Sequence, residues 1–213
     1  MTATKAMTDL YPGIDAPGIV TDEAALRAHY GEPHKDIWLK QIDHIDAGAR
    51  ALIAASPFMV MATSSPAGLD CSPKGDEPGF VQVLDEKTLL IPDRPGNRRV
   101  DGLRNILKDP RVGLIFFIPG VGETLRINGR AAVSLDEGLR ARCAKGGKAA
   151  SAVIVLRVEE AFIHCSRAVA VAGLWAEDTK APSGLPTARE VFEGHLALSY
   201  GKEAAAAGAA AED

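Results

Sequence analysis

The residues with the clearest chemical content lie in one run, Ile91-Pro92-Asp93-Arg94-Pro95-Gly96-Asn97-Arg98-Arg99-Val100-Asp101-Gly102-Leu103. Two adjacent arginines, Arg98 and Arg99, follow a Pro-Gly pair and an asparagine. Proline presets φ and glycine permits φ > 0, so Pro95-Gly96 reads as a tight turn. Asn97 has the short acceptor side chain of a helix N-cap. Val100, Leu103 and Leu107 then recur at helical spacing, and Asp109-Pro110 ends the pattern. On this reading Arg98 and Arg99 stand in the first turn of a helix, where the macrodipole already favours anions. Free N–H groups, the dipole and two guanidinium forks would together make a phosphate site. The same residues also allow a solvated helix start whose arginines pair with Asp93 or Asp101, and the residues alone leave both readings open.

Two further stretches carry polar residues where a strand is expected. Leu69-Asp70-Cys71-Ser72-Pro73-Lys74-Gly75-Asp76 is polar for its place. In Glu123–Val133 alternation is strict: Leu125, Ile127, Gly129, Ala131 and Val133 face one way, and Thr124, Arg126, Asn128 and Arg130 the other. Two arginines on one strand face need a ligand, an acidic surface or water. Brought together on one groove, these stretches and the helix start would suit a mononucleotide with a planar ring.

The elements that must position them follow from periodicity. Thr21-Asp22-Glu23 can cap a short helix through His29, ended by Gly31 and Pro33. Trp38, Ile42, Ile45, Ala49, Leu52 and Ile53 predict a stronger helix, with His44 a partly exposed residue beside its apolar stripe. Strands are expected at Phe58–Ala62, Leu69–Asp76, Phe80–Leu84 and Thr88–Ile91, the last two forming a hairpin about Asp85-Glu86-Lys87. Val112–Ile118 is apolar throughout, as in a central strand buried on both faces. Ser134-Leu135-Asp136-Glu137 has capping-box form and predicts a helix to about Lys145. Ala152–Val158 and Ala161–Cys165 read as two strands around Glu159-Glu160. Thr187–Tyr200 reads as a final helix, Met1–Val20 as an extended arm and Glu203–Asp213 as a frayed alanine-rich tail. Short strands, tight turns and few long helices predict a closed or nearly closed antiparallel barrel with flanking helices.

Composition bounds the function. The 213 residues suit one large domain or a domain with appendages, with 46% hydrophobic and 24% charged residues. A net charge of −4 argues against a general nucleic-acid binder. Cys71, Cys143 and Cys165 form no C-x-x-C, so a reduced, cytoplasmic setting is expected, without disulfides or zinc. No signal pattern or membrane-length apolar run is read, and the five histidines lack metal-site spacing. G-x-S-x-G and Gly-rich nucleotide loops are missing too. His164-Cys165-Ser166-Arg167 is compact and polar, a composition more typical of a strand end than of a nucleophile.

Four blocks together resemble the pyridoxamine 5′-phosphate oxidase-related FMN-binding family. They are Asp70-x-Ser72-Pro73-Lys74-Gly75-Asp76, Pro78-Gly79-Phe80, Ile91–Arg99 with Asp101, and Thr124-Leu125-Arg126-Ile127-Asn128-Gly129-Arg130-Ala131. The resemblance covers roughly Phe58 to Trp175 and is closer to a bacterial subgroup than to the true oxidase. It implies a mainly β fold with flanking helices, an antiparallel split β-barrel, as a homodimer with FMN at the subunit interface. It divides the chain into an N-terminal arm and helices (1–56), the FMN-binding split-barrel domain (57–175) and a C-terminal loop, helix and tail (176–213). Carried over, the cofactor-binding residues are Leu69, Asp70, Cys71, Ser72 and Lys74 on a strand edge, Pro92 and Asp93 at a strand end, Asn97, Arg98 and Arg99 in the turn, and Thr124 and Arg126 on a later strand. The implied function is an FMN-dependent oxidoreductase acting on a small molecule, with no membrane or nucleic-acid partner and no metal. The flavin would do the chemistry, so no side-chain acid or base is named. The alternative is a non-catalytic flavin or haem module, with His164 as the one axial ligand to test; a deazaflavin in place of FMN is a third reading. The true oxidase carries an Arg/His segment that grips its substrate, and none is found near Tyr200. Val171-Ala172-Gly173 precedes Leu174-Trp175 where the subgroup has basic residues, which leaves open the C-terminal residues that complete the site.

Overall fold

The computed structural model describes residues 18–210, with side chains described as far as residue 202. The expected arm falls almost wholly outside the described residues, as do the last three residues of the expected tail. The chain divides into two units at Ala172/Gly173.

The first unit is built on a seven-stranded antiparallel sheet. Its strands are β1 (Phe58–Ser65), β2 (Gly68–Gly75), β3 (Gln82–Asp85), β4 (Thr88–Asp93), β5 (Arg111–Phe117), β6 (Thr124–Ser134) and β7 (Ala152–His164), in the order β2-β1-β5-β6-β7-β4-β3. β2 and β3 end the order and do not pair with each other, so the barrel is split, not closed. Side chains tie strands across this split where no backbone ladder does. Lys74 on β2 meets Asp93 on β4 at 3.1 Å, and Arg94 Nε donates to Asp76 at 3.0 Å. Lys145 also pairs with Asp76. Burial pushes the Asp76 carboxyl up, but hydrogen bonds from Lys145, the Glu77 N–H and Arg94 outweigh it and hold the group below its ordinary value.

The helices follow their caps. Asp22 accepts from the Ala25 N–H at 2.8 Å and opens α1 (Glu23–Tyr30), which Gly31 ends at φ 74°. The long helix expected from Trp38 to Ile53 is instead two, α2 (Lys35–Leu39) and α3 (Ala47–Ala55). The sheet takes the backbone between them. Ile42 and Ala161 exchange N–H···O bonds of 3.0 and 2.7 Å, and the Ile45 N–H donates to Glu86 O at 2.7 Å. Asp46 then caps α3 through the Ala49 N–H. His44 thus lies in the bend between helices, its Nδ1 3.0 Å from Asp43 Oδ1. The helix after β4 is α4 (Asp101–Ile106), that after β6 is α5 (Glu137–Arg142), and that after β7 is α6 (Arg167–Val171). Asp136, not Ser134, caps α5, which stops at Arg142 short of the expected Lys145.

The core fills the barrel with Met59, Met61, Leu89, Ile91, Ile127, Ile154 and Leu156, each at most 1% exposed. A second small cluster of Leu90, Cys143, Ala150 and Val153 lies under α5. The strand covered on both faces is therefore β4, where Leu89 to Pro92 are all buried. β5 was expected in that role, but only its inward Val112, Leu114 and Phe116 are buried, and Gly113, Ile115 and Phe117 are half-exposed.

The expected pair of strands around Glu159-Glu160 is one continuous β7. The register runs Asn128↔Glu160 and then Gly129↔Val158, so Glu159 is the extra residue of a β-bulge. Only glycine fits opposite it, because a Cβ on Gly129 would stand 2.0 Å from the Arg157 carbonyl oxygen.

The second unit holds α7 (Ala188–Ala210). Its start is a reciprocal capping box: Thr187 N–H and hydroxyl donate to Glu190 Oε2, and the Glu190 N–H donates back to Thr187 Oγ1. The helix continues through most of the stretch expected to be frayed. No helix among the described residues is long and apolar enough to cross a membrane.

Candidate functional site

One cleft of about 430 Å³ gathers most of the polar residues singled out in the sequence. Its floor is β2. The pleat alternates side chains, so Asp70, Ser72 and Lys74 point into the cleft and are half-buried, while Leu69 and Cys71 point away and are exposed. Asp93, the last residue of β4, faces Lys74, and Gly96, Asn97 and Arg99 of the following loop complete the wall.

The loop differs from the expected helix start. α4 begins at Asp101, with Val100 at its N-cap position and no side-chain cap. Asn97 caps a turn instead, its Oδ1 accepting the Arg99 N–H at 3.0 Å. Arg98 and Arg99 thus precede the helix. Arg98 (φ 64°) and Val100 (φ 52°) are the two non-glycine residues at positive φ among the described residues, with Arg99 between them. For a β-branched residue this is a strained conformation. Gly102 allows the close approach of α4: a Cβ there would lie 3.1 Å from Met61 Cε and 3.5 Å from Asp70 Oδ2. Asn105 Nδ2 donates to Thr63 Oγ1 at 3.1 Å and fixes the helix on β1.

The cations are held by carboxylates. Lys74 Nζ lies 3.1 Å from Asp93 Oδ1, both side chains about four-fifths buried. Arg99 Nε lies 2.7 Å from Asp101 Oδ2, with the Arg99 side chain 75% exposed. That hydrogen bond, and then the charge of Asp101, hold the Arg99 guanidinium above its ordinary pKa. The bland sequence reading, in which an arginine pairs with Asp101, thus describes Arg99 as it stands. Exposed ion pairs of this kind are weak and open readily to a stronger anion.

The structure brings Asp70, Ser72, Lys74, Asp93, Asn97 and Arg99 together. It leaves the others elsewhere. Arg98 is exposed and off the cleft lining, and Pro92 is buried in β4. Thr124 is buried at the start of β6 opposite His164. Arg126 lies over the Phe162 ring, 5.1 Å from its centroid. Leu69, Cys71, Arg126 and His164 belong to the outer face of the sheet, where they line two shallower depressions. Sequence reasoning missed Gly102 as part of the cleft; a glycine inside a helical pattern beside a charged turn was the available signal.

The outer face of β2-β1-β5 is apolar across Val60, Ala62, Pro73 and Ile115, with Arg126 and Asn128 of β6 beside them, and the Phe58 and Phe117 rings meet at its end as a tilted pair with centroids 6.0 Å apart. Leu69 stands 88% exposed beside it.

The class of structure these elements define is a split antiparallel barrel with a charged cleft along its edge strand. The chain belongs to the pyridoxamine 5′-phosphate oxidase family, whose model matches residues 45–165, more than half of the chain. Among solved structures it is similar to HupZ of Group A Streptococcus at 21% identity and TM-score 0.44, over 56% of this chain and 93% of that one. It is also similar to an FMN-binding protein of Syntrophomonas wolfei at 10% identity and TM-score 0.43, over 67% and 96%. General Stress Protein 26 of Bacillus anthracis is similar at 10% identity and TM-score 0.39, over 53% and 88%. At these values the structural likenesses carry no functional argument. No curated protein matches the chain.

Proposed function

We propose that the protein is an FMN-binding flavoprotein, an oxidoreductase acting on a small molecule, and a cytoplasmic homodimer with the cofactor at the subunit interface. The observation that carries this reading is the convergence of β2, the end of β4 and the loop before α4 on one cleft that holds Ser72, Lys74, Asn97 and Arg99. Its volume falls in the ~300–1,000 Å³ range of small-molecule sites. The side chains of Arg99, Asn97 and Ser72 would hold the phosphate. Lys74 would lie near the ring, where positive charge favours electron uptake. Bound FMN would supply hydride and electron transfer, and the chain would bind and orient it.

The dimer is supported by the uncovered apolar outer face, which meets the cleft along the β2 edge. Contiguous exposed apolar surface of this kind marks interfaces. The three cysteines are free, which supports a reducing compartment.

Purified protein is expected to be yellow, or to become so on adding FMN, and to elute at twice the 22.4 kDa chain mass. Arg99→Ala is expected to lose flavin absorbance. Anaerobic NADH or NADPH is expected to bleach it. A colourless protein that takes up no FMN refutes the reading; bound flavin inert to every donor refutes only the enzymatic part.

A further inference from the structure

We propose that α5 and the hairpin after it form a strap across the barrel split that opens as a unit while the barrel stays folded, with Asp76 as its latch.

The strap is residues 135–151, between β6 and β7, and the pairing of Ser134 with Val153 closes its root. Little of it is packed. Cys143 and Ala150 are buried, Leu139 and Arg140 are half-buried, and its other residues are exposed. The thiol, the methyl and part of Leu139 rest on Leu90 and Val153 of the barrel. That is little apolar area for a segment of this length. Within itself the strap is well tied. Asp136 caps α5, the Ala150 N–H donates to Arg140 O at 3.1 Å, and Lys145 and Lys148 exchange N–H···O bonds of 2.9 Å about Gly146-Gly147, both at positive φ. A segment bonded to itself, closed at its root and thinly packed beneath has the properties of a local opening unit.

What holds it down is polar and gathers at the split. Arg94 Nη1 donates to Cys143 O at 2.7 Å, while its Nε donates to Asp76 Oδ2 at 3.0 Å. Lys145 pairs with the other oxygen of Asp76. Gln82 Nε2 donates to Arg142 O at 2.9 Å, and Arg142 Nε donates back to Gln82 Oε1 at 3.1 Å. The Asp76 side chain is 5% exposed and serves both cations, so one carboxylate joins the end of β2 to the end of β4 and to the strap. Losing it frees Lys145 and leaves Arg94 unoriented. The latched strap forms one wall of a cavity of about 370 Å³ lined by Asp76, Phe80, Gln82, Arg94, Cys143 and Lys145. Opening turns that cavity into a groove and uncovers Leu90, Val153 and the Cys143 thiol.

Cys143 is therefore the reporter. The thiolate is the nucleophile, and burial both hides this thiol and pushes its pKa up. Cys165 is exposed and serves as the reference. Purified protein is treated with N-ethylmaleimide, whose double bond takes the thiolate sulfur at one carbon and a proton from water at the other, and each modified cysteine is followed by peptide mass spectrometry. Cys143 is expected to react slowly, through an opening whose urea slope is well below that of global unfolding. Asp76→Asn is expected to speed Cys143 about thirtyfold and leave Cys165 unchanged. Added sodium chloride is expected to speed Cys143 in the wild type and far less in Asp76→Asn, where the screened ion cluster is already broken. Lys145→Met cuts the latch from its half-exposed end and is expected to speed Cys143 severalfold; it carries the test if Asp76→Asn does not fold. A Cys143 rate with the urea slope of global unfolding, a wild-type rate unmoved by salt, or one rate shared by the wild type and the variants overturns the proposal.

Discussion

Gly129→Ala tests the element that sets the register of the two longest strands. Gly129 lies opposite the bulge in β7, and its missing side chain is what lets Glu159 be looped out. An alanine Cβ would stand 2.0 Å from the Arg157 carbonyl oxygen, 3.0 Å from its carbon and 3.3 Å from the Glu159 nitrogen. All three are backbone atoms of a central strand, so no side-chain rotation relieves the contact. The bulge must open by more than an ångström. Overpacking of this kind costs ~1–3 kcal/mol, and one or two lost ladder hydrogen bonds add ~0.5–1.5 kcal/mol each. The expected loss is about 3–5 kcal/mol, a large part of the ~5–15 kcal/mol that holds a domain folded. For a chain of this size that lowers the midpoint of thermal unfolding by about 6–20 °C. The assay is a circular dichroism melt, with a urea titration to confirm an unchanged slope. Gly113→Ala is the matched control one strand over. There the nearest atom is the Asn128 side-chain oxygen at 3.2 Å, which can swing away at the cost of its hydrogen bond to Glu160. Its loss is expected to stay within about 1 kcal/mol. A Gly129→Ala midpoint within 2 °C of the control would refute the steric argument and the bulge's role with it.

Three further outcomes are expected. Asp101→Asn removes the carboxylate that competes with a ligand for Arg99 and should tighten FMN binding about two- to fivefold, the range of an exposed ion pair, in a fluorescence titration. Asp76→Asn removes the anion shared by Arg94 and Lys145 across the split, and should cost about 2–3 kcal/mol in urea denaturation; this is below the figure for a fully buried pair because Lys145 is half-exposed. The hydrogen bond from Lys87, then one with His44, lowers the Asp43 carboxyl from 3.8 to about 2. Because the folded pKa is depressed, this contribution is complete above pH 3.8 and lost as pH falls through about 2. The gap in melting temperature between wild type and Lys87→Met should therefore be constant from pH 6 to 4 and close towards pH 2.

What could be read from the chain alone was set by the range of the forces involved. β6 was legible to within one residue at each end, since alternation of Leu125, Ile127 and Gly129 against Arg126 and Asn128 is a nearest-neighbour signal. So was the cap at Asp22. The helix across Trp38–Ile53 was not, because its apolar period is real but Ile42 spends its backbone on Ala161, more than a hundred residues away in sequence. Glu159-Glu160 resembles a turn by composition, and only the glycine on the neighbouring strand makes it a bulge.

The loop before α4 shows the same limit where it bears on function. Local preference places Asn97 at the helix start and keeps a valine out of the left-handed region. The structure delays the helix to Asp101 and holds Val100 there, so the reason must be tertiary. α4 is pressed onto β1 and β2 through Gly102 and Asn105, which fixes where the helix can begin, and the residues before it must reach back to β4. Strain at Val100 is the consequence, and Asn97, Arg99 and Val100 line the cleft. The anion site proposed above would therefore rest on a different physical basis from the helix start read in the sequence. Its anion-binding groups would be an exposed, loosely paired Arg99 and the loop beside an edge strand, not the dipole of a six-residue helix. In the dimer proposed above, a second copy seated on the apolar face alongside would supply the rest of the wall.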